Sequence, residues 1–295
     1  MIRLILAALA LFGPGSVLAQ DAAFLAAMRE DVERLELDSN TARGEALQGM
    51  LEQRGIAFTL ETFEIVPPPG YPRSVGTNVV VTLGDGARDI VVGGHYDAAW
   101  LANGRLSRGA IDNAGSAVIL TRLAETLLTE PLNHRLRVVF FDMEEIGLIG
   151  SRRYVETHAD DDIAALINLD VNGYGDTVFY GPIANQQGGL MHRSIESACG
   201  AAMLECVAFE RYPASDYLSF QRAGIPVLSL AVLPAAEVEE LRVSLNGTPE
   251  QRRSLGLPTI LGRIHSPDDT SAHIDPAGMA LTLRATLELV RVLDR

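Results

Sequence analysis

One apolar segment ends in two glycines, a histidine and an acid, and reads Asp89-Ile90-Val91-Val92-Gly93-Gly94-His95-Tyr96-Asp97. An unbroken apolar run of this length is typical of a strand that is buried on both faces of an α/β sheet. The ligand crevice of such a sheet lies beyond the carboxyl ends of its strands. His95 is therefore a candidate metal ligand, and Asp97 is a candidate carboxylate for fixing the imidazole tautomer.

The same alternation of strand and helix continues on both sides of this segment. Further buried strands are predicted at 135–141, 164–169 and 226–232, with helices between them and a terminal helix at 275–293. Gly84-Asp85-Gly86 predicts a hairpin that joins a strand at 77–83 to the one at 89–93. We therefore expect an α/β fold with a mixed, mostly parallel central sheet and helices on both faces. One domain is expected over 20–295, with a rim insertion at 234–262.

Four other segments carry acids or histidine at or just beyond predicted strand ends or in loops: 109–115, 140–145, 167–170 and 263–270. Each has an ordinary structural explanation when it is taken alone. A lone histidine is more often structural than a ligand, and an acid after a strand is often a helix N-cap. Two histidines and several carboxylates at successive strand ends would nevertheless converge on one crevice. Mixed nitrogen and oxygen ligands suit Zn²⁺, with Mn²⁺ or Co²⁺ as alternatives.

The five segments together resemble the motifs of the co-catalytic di-zinc aminopeptidase family, in the family's order and approximate spacing, from about residue 77 to the C-terminus. The motifs are His-Tyr-Asp from residue 95, Gly-Ala-x-Asp-Asn-Ala-Gly from 109, Glu-Glu-x-Gly-Leu-x-Gly-Ser from 144, Asn-Leu-Asp from 168 and His-Ser-x-x-Asp-Thr from 265. The segment Ser215-Asp216-Tyr217 also resembles a family motif that commonly ends in histidine. Tyr217 departs from that pattern, and no ligand role is assigned to it.

The resemblance implies a site with two zinc ions and peptide substrates. It implies five metal ligands, namely His95 and Asp170 on one ion, Glu145 and His265 on the other, and Asp112 bridging both. It implies three further acids, namely Glu144 as general base, and Asp97 and Asp269 as carboxylates that orient His95 and His265. It also implies a cis peptide bond between Asp112 and Asn113.

Aminopeptidase activity is the function that the resemblance favours, and three alternatives remain. A glutaminyl-peptide cyclotransferase uses one zinc ion and usually has serine where this chain has Asn113. A carboxypeptidase of the same fold needs a cation for the substrate carboxylate, and arginines are available in 234–262. A binding protein that kept the fold but lost its metals is disfavoured, because all five ligand positions are filled.

The first residues predict a secretory signal peptide at 1–19, with Arg3, an apolar stretch over 4–12 and small residues before a cleavage site at Ala19. The apolar stretch is shorter than the ~20 residues that a membrane-spanning helix needs. The sequence therefore predicts a periplasmic or secreted protein without stable membrane association. Cys199 and Cys206 either form a local disulfide or remain reduced.

The formal net charge of the 295 residues is −14, or −15 without residues 1–19, which contain one arginine and no acid. Such a surface argues against binding to nucleic acid or to anionic membranes. The chain contains no lysine. Schiff-base chemistry and phosphate binding by a P-loop lysine are therefore excluded.

Overall fold

A computed structural model describes residues 22–184 and 188–295. The predicted signal peptide lies outside the described residues. The strands are β1 Thr59–Glu64, β2 Val75–Leu83, β3 Asp89–His95, β4 Arg135–Phe141, β5 Ile163–Leu169, β6 Thr177–Gly181, β7 Val207–Ala208 and β8 Val227–Leu233. The helices are α1 Ala22–Glu33, α2 Asn40–Gln53, α3 Gly115–Leu127, α4 Ile149–Thr157, α5 Leu190–Ala201, α6 Tyr217–Arg222, α7 Ala235–Asn246, α8 Pro249–Ser254, α9 Ile260–Arg263 and α10 Pro276–Leu293. A kinked turn occupies Ala110–Ala114, where Asp112 and Asn113 have non-helical backbone angles, and a 3₁₀ turn occupies Ser271–His273.

The described strands form one sheet in the order β1-β2-β4-β3-β5-β8-β6-β7. Parallel pairs join β3 to β4, β3 to β5, β5 to β8 and β6 to β7, and the other pairs are antiparallel. Every residue of β3 and β8 is buried, which requires cover on both faces of the sheet. The expected mixed, mostly parallel α/β fold is confirmed.

The helices cover the sheet in two groups. Helices α1, α3 and α5 pack around α10, which also contacts β8. Helices α4 and α6 pack against each other, and Phe141 at the end of β4 lies against Tyr154 of α4 and Phe220 of α6. Among the described helices, none combines the length and the apolar character that crossing a membrane requires.

The predicted hairpin between β2 and β3 is wrong. β4 lies between these two strands, antiparallel to β2 and parallel to β3. A Cβ atom on Gly86 would lie 2.2 Å from the carbonyl oxygen of Asn133, so the connection needs glycine to pass close to the chain that enters β4. The Gly-Asp-Gly signal therefore marks a close backbone approach rather than a two-strand turn.

Three other segments differ in detail from the sequence analysis. The helical pattern at 21–55 divides into α1 and α2, and the Ser39 hydroxyl caps α2 by accepting from the amide of Ala42. Strands β6 and β7 were not predicted. The segment 234–262 contains α7, which buries Val238 and Leu241 in the core, whereas α8 has no buried residue.

Cys199 and Cys206 form a disulfide that connects α5 to the start of β7.

Two glycines provide a matched test of the packing around the end of β3. A Cβ atom on Gly94 would lie 2.4 Å from the carbonyl oxygen of Leu169, whereas Gly49 on α2 has nothing within 4 Å. Gly94→Ala should therefore lower the free energy of unfolding by about 1–3 kcal/mol. Gly49→Ala should raise it by about 0.5–1 kcal/mol because alanine favours a helix interior. Denaturant unfolding followed by circular dichroism measures both, and a stable Gly94→Ala protein would contradict the described packing.

Candidate metal centre

The carboxyl ends of three neighbouring strands bring together most of the predicted site. His95 is the last residue of β3, Asp170 directly follows β5, and Glu144 and Glu145 come shortly after β4. Asp112 lies in the kinked turn before α3, and His265 follows α9. Because parallel strands end at the same edge of the sheet, residues far apart in the sequence meet there.

His95 is almost completely buried and faces two carboxylates. Its Nε2 lies 3.1 Å from Asp112 Oδ1 and 3.5 Å from Asp170 Oδ1. Its Nδ1 lies 3.1 Å from the backbone carbonyl oxygen of Asp97, which suits an N–H donated from Nδ1. In that tautomer the lone pair of Nε2 points at two anions, and such an arrangement is stable only with a proton or a metal cation between them.

His265 completes a second group on the other side of Asp112. Its Nε2 lies 3.1 Å from Asp112 Oδ2 and 3.0 Å from Glu145 Oε2. Each oxygen of Asp112 therefore faces a different histidine, which is the arrangement expected of a bridging carboxylate. The His265 side chain is 56% exposed, so this half of the site is open to solvent.

The donor atoms form two groups that could hold a metal ion, and the two groups share His95. One ligand atom from each of His95, Glu144 and Asp170 lies within 4.8 Å of the others, and the same holds for His95, Asp112 and Glu145. Glu145 Oε1 and Asp170 Oδ1 are buried and accept no hydrogen bond from any described residue. Imidazole nitrogens with carboxylate oxygens and no thiolate form the ligand set of hydrolytic zinc sites. The candidate ligands from sequence are thus brought together here, and Glu144 lies beside them.

The crowding of acids raises the pKa of several carboxyl groups in the site. Burial raises the pKa of Glu144 well above its ordinary value, and Asp216 and Asp170 raise it further against the effect of His95. Burial and then Asp112 raise the pKa of Glu145 to about 7. Hydrogen bonds with Asp112 and Glu145 raise the pKa of His265 to about 11. The cluster therefore has a strong affinity for positive charge, whether as protons or as metal ions.

Asp97 holds the turn that presents the two glutamates. Its Oδ1 accepts a hydrogen bond from the amide of Glu144 at 3.0 Å, and its Oδ2 accepts from the amide of Glu145 at 3.3 Å. The shorter contact of His95 Nδ1 is with the Asp97 carbonyl, since Oδ1 lies 3.5 Å away. Asp97 thus contacts the His95 ring mainly through its backbone, and its carboxylate positions Glu144 and Glu145.

Asp269 does not act on His265 in the way expected from the sequence. Its carboxylate accepts hydrogen bonds from the amides of Ile111 at 2.7 Å and Asp112 at 3.2 Å. Burial raises the pKa of Asp269 to about 7, with Asp112 adding to the effect. Asp269 therefore fixes the loop that carries the bridging residue, four residues beyond His265 in the same segment.

Asn113 is a positioning residue, a role that the sequence did not predict. Its Nδ2 donates to the carbonyl of Leu169 at 3.0 Å, and its Oδ1 accepts from the amide of Val171 at 3.3 Å. These two bonds clamp the residues on either side of Asp170, and the Asp112–Asn113 peptide is cis. Asn113 therefore fixes the separation between Asp112 and Asp170.

A small apolar cavity of about 60 Å³ opens beside Asp170. Its lining includes Phe179, Tyr212, Leu241, Ile260, Leu261 and Ile264. The wall formed by α9 is held by Glu237, which accepts hydrogen bonds from the Tyr174 hydroxyl at 2.6 Å and the Ile260 amide at 2.9 Å. The cavity is thus an apolar pocket whose lining includes one carboxylate, that of Asp170.

The sequence analysis missed Tyr212, which lies three residues before Ser215. Its hydroxyl is buried and bonds to no described residue. Burial, with a further effect from Asp170, raises the pKa of this hydroxyl well above its ordinary value, so it remains a proton donor. The Tyr217 hydroxyl donates to the Tyr212 carbonyl at 3.3 Å, which agrees with the absence of a ligand role for Tyr217.

Two aromatic residues, Tyr96 and Trp100, lie in or near the His-Tyr-Asp motif. Tyr96 is buried, and its hydroxyl donates to the carbonyl of Thr77, so it packs. Trp100 is 39% exposed and lines a separate groove with Tyr71 and Ile146.

Comparisons of the sequence with known proteins agree on one family of peptidases. The model of "Peptidase family M28" matches residues 78–290. Aminopeptidase YwaD of Bacillus subtilis is 27% identical over 144 residues, which are 46% of this chain and 30% of that protein. The chain spans between 30% and 52% of the length of the curated relatives it matches.

Solved structures of low sequence identity share the fold. The zinc aminopeptidase of Bacillus subtilis superposes with a TM-score of 0.59 at 18% identity, over 75% of this chain and 50% of that one. The glutaminyl cyclase of Porphyromonas gingivalis superposes with a TM-score of 0.70 at 17% identity, over 90% of this chain and 97% of that one.

Removal of the exposed histidine tests the paired metal site. His265→Ala should lower the bound metal from two ions per chain to one, because Glu145 and Asp112 lose their shared imidazole partner. The fold should persist because the side chain is 56% exposed. Elemental analysis of the purified protein counts the metal, and His192→Ala on α5 serves as the control. Two ions retained in His265→Ala would exclude this residue as a ligand.

Proposed function

The chain belongs to peptidase family M28, and we propose that it is a zinc-dependent aminopeptidase that removes N-terminal residues from peptides. The observation that carries this proposal is the pair of ligand groups that share Asp112, next to an apolar pocket with Asp170 at its boundary. The metal groups supply the hydrolytic site, and the pocket supplies a place for the side chain that precedes the scissile bond.

We assign His95 and Asp170 to one zinc ion, Glu145 and His265 to the other, and Asp112 to both. When bound, the two ions would polarise the scissile carbonyl and lower the pKa of a water molecule toward about 7. The chain's contribution is to hold these ligands at fixed separations. Asp97, Asp269 and Asn113 do so through hydrogen bonds to the backbone on which the ligands lie.

Glu144 is the residue we assign to proton transfer. One of its carboxylate oxygens lies within 4.8 Å of a ligand atom of His95 and of Asp170. It takes no part in the contacts that Asp112 makes with His95 and His265. Peptide hydrolysis requires a group that takes a proton from water and gives it to the leaving amine. A buried carboxyl group whose pKa is raised can carry that proton between the two steps. We propose that the Tyr212 hydroxyl, which bonds to no described residue and belongs to a residue that lines the pocket, donates a hydrogen bond to the substrate carbonyl.

The charge around the pocket favours a substrate with a free amine over one with a free carboxylate. Three acids, Asp170, Glu144 and Asp216, lie near one another at the site, and none of the described arginines lines the pocket. The three arginines of the 234–262 segment have local partners: Arg242 pairs with Glu239, Arg253 pairs with Glu250, and Arg252 donates to the carbonyl of Gly247. Carboxypeptidase activity is therefore the weaker proposal.

Glutaminyl cyclase activity is a second candidate because the Porphyromonas gingivalis cyclase is covered over 97% of its length. Side-by-side assays distinguish the two activities. An aminopeptidase releases nitroaniline from leucyl-nitroanilide, whereas a cyclase converts N-terminal glutamine peptides to pyroglutamyl peptides with loss of ammonia. Cyclisation without nitroaniline release would overturn the aminopeptidase proposal.

We also propose that the protein acts in the periplasm or outside the cell. The apolar segment at 4–12 supports export, and a disulfide such as Cys199–Cys206 is typical of oxidising compartments.

Substitution of the proposed base separates proton transfer from metal binding. Glu144→Gln should lower kcat by about 10²–10⁴-fold because the amide cannot accept the proton from water. The zinc content should remain at the wild-type value. Steady-state kinetics and elemental analysis measure the two quantities, and Glu156→Gln on the exposed face of α4 is the control. Wild-type turnover with normal zinc in Glu144→Gln would remove this residue from the mechanism.

The pocket wall predicts a preference for aliphatic N-terminal residues. Leu261→Ala should lower kcat/KM for leucyl substrates by about tenfold, since the substrate side chain loses part of its apolar contact. Alanyl substrates, whose side chain reaches less far, should change much less. Leu257→Ala is the matched control because Leu257 lies in the same segment, is 74% exposed and does not line the pocket. Equal losses for both substrates would show that Leu261 does not contact the side chain.

A further inference from the structure

Arg43 of α2 is fully buried beneath the metal-binding loops, and its guanidinium donates to backbone carbonyls on three segments. Nε donates to Tyr96 O at 2.8 Å, and Nη1 donates to Leu35 O and Arg108 O, both at 2.7 Å. Nη2 donates to Gly109 O at 3.1 Å. Four of the five N–H groups of the guanidinium are thus used on the main chain.

Two of these segments carry ligands of the proposed metal site. Tyr96 stands between His95 and Asp97, and Gly109 precedes Asp112 by three residues. One planar group therefore fixes the His95 loop against the Asp112 loop. The contact is tight: a Cβ atom on Gly109 would lie 3.2 Å from Arg43 Nη2, and Gly109 has a φ of 55°.

Asn40, at the start of α2 and about one turn before Arg43, contacts the loop that follows His95. Asn40 Nδ2 donates to the carbonyl of Ala98 at 3.0 Å, and the amide of Ala98 donates to Asn40 Oδ1 at 2.9 Å. Helix α2 thus holds the chain on both sides of Asp97. It lies before residue 78, where the family match begins, so the match assigns no role to it.

The charge of Arg43 is unusual because all of its hydrogen-bond acceptors are neutral carbonyls. A buried cation without a bonded carboxylate is costly unless nearby anions offset the loss of hydration. Burial lowers the pKa of Arg43, and the carboxylates of Asp97, Asp269, Glu145 and Asp112 oppose that effect. These four acids are thus the anions that lie near the guanidinium.

We propose that Arg43 is a positioning residue for the metal centre, which holds the His95 and Asp112 loops in register and supplies resident positive charge to the carboxylate cluster. This inference rests on the metal site of the proposed function. It does not depend on which peptide or glutamine substrate the site acts upon.

The test measures zinc affinity directly, by titration of chelator-treated protein against a competing zinc-binding dye. Arg43→Lys keeps the charge but cannot reach four carbonyls, and Arg43→Gln also removes the charge. We expect zinc affinity to fall by about 10–100-fold in Arg43→Lys, as for other residues that orient metal ligands, and further in Arg43→Gln. The value of kcat should fall while KM changes little, because the pocket at Asp170 is untouched.

Arg54, which follows α2 and pairs with Asp31 at 2.5 Å, provides the matched control. Arg54→Gln should lower Tm without changing zinc affinity, as expected of an arginine that is structural only. Wild-type zinc affinity in folded Arg43→Lys and Arg43→Gln would overturn the proposal. Failure of Arg43→Lys to fold even with zinc would also overturn it, because Arg43 would then be a requirement of the core. A wild-type protein that binds zinc but hydrolyses no peptide would refute the proposed function and leave this test intact.

Discussion

Mutual repulsion of buried carboxylates is the constraint on which the site depends. Asp112, Glu144, Glu145 and Asp170 meet at one edge of the sheet, with Asp97, Asp216 and Asp269 close behind them. Burial raises the pKa of Glu144, Glu145, Asp216 and Asp269, and neighbouring carboxylates raise it further. A chain can keep such a cluster only if cations neutralise it and the backbone holds it, and hydrogen bonds from the backbone are present here.

The backbone support is distributed over the whole fold. Asp97 and Asp269 each accept hydrogen bonds from two main-chain amides, so each acid fixes a loop that carries ligands. Asn113 bonds to both sides of Asp170, and Arg43 bonds to the loops of His95 and Asp112. The ligands are thus positioned by neighbours that never need to touch a metal or a substrate. The His95 loop begins at the end of β3, a strand that is buried along its whole length and holds the start of the loop in place.

The sequence predicted the parts that depend on local pattern. His95, Asp112, Glu145, Asp170 and His265 stand in short motifs at strand ends or in loops, so their convergence follows from the parallel sheet. The β2–β3 hairpin was wrong because Gly84 and Gly86 serve a contact with residues 133–134, which lie about 50 positions away. Arg43 and Tyr212 were missed because a single arginine in a helix or a single tyrosine in a loop has no distinguishing spacing. Their roles exist only in the folded chain, where burial leaves the Arg43 guanidinium with carbonyl partners and the Tyr212 hydroxyl with no hydrogen bond to any described residue.

We propose that this edge of the sheet binds two zinc ions that hydrolysis requires. The most direct measurement is to strip the purified protein with a chelator and return zinc in measured steps, while following leucyl-nitroanilide hydrolysis. The account predicts no turnover in the stripped protein, and activity that rises with added zinc and stops rising at two ions per chain. Full turnover in the stripped protein, or zinc binding that saturates at two ions without hydrolysis of any peptide or N-terminal glutamine substrate, would contradict it.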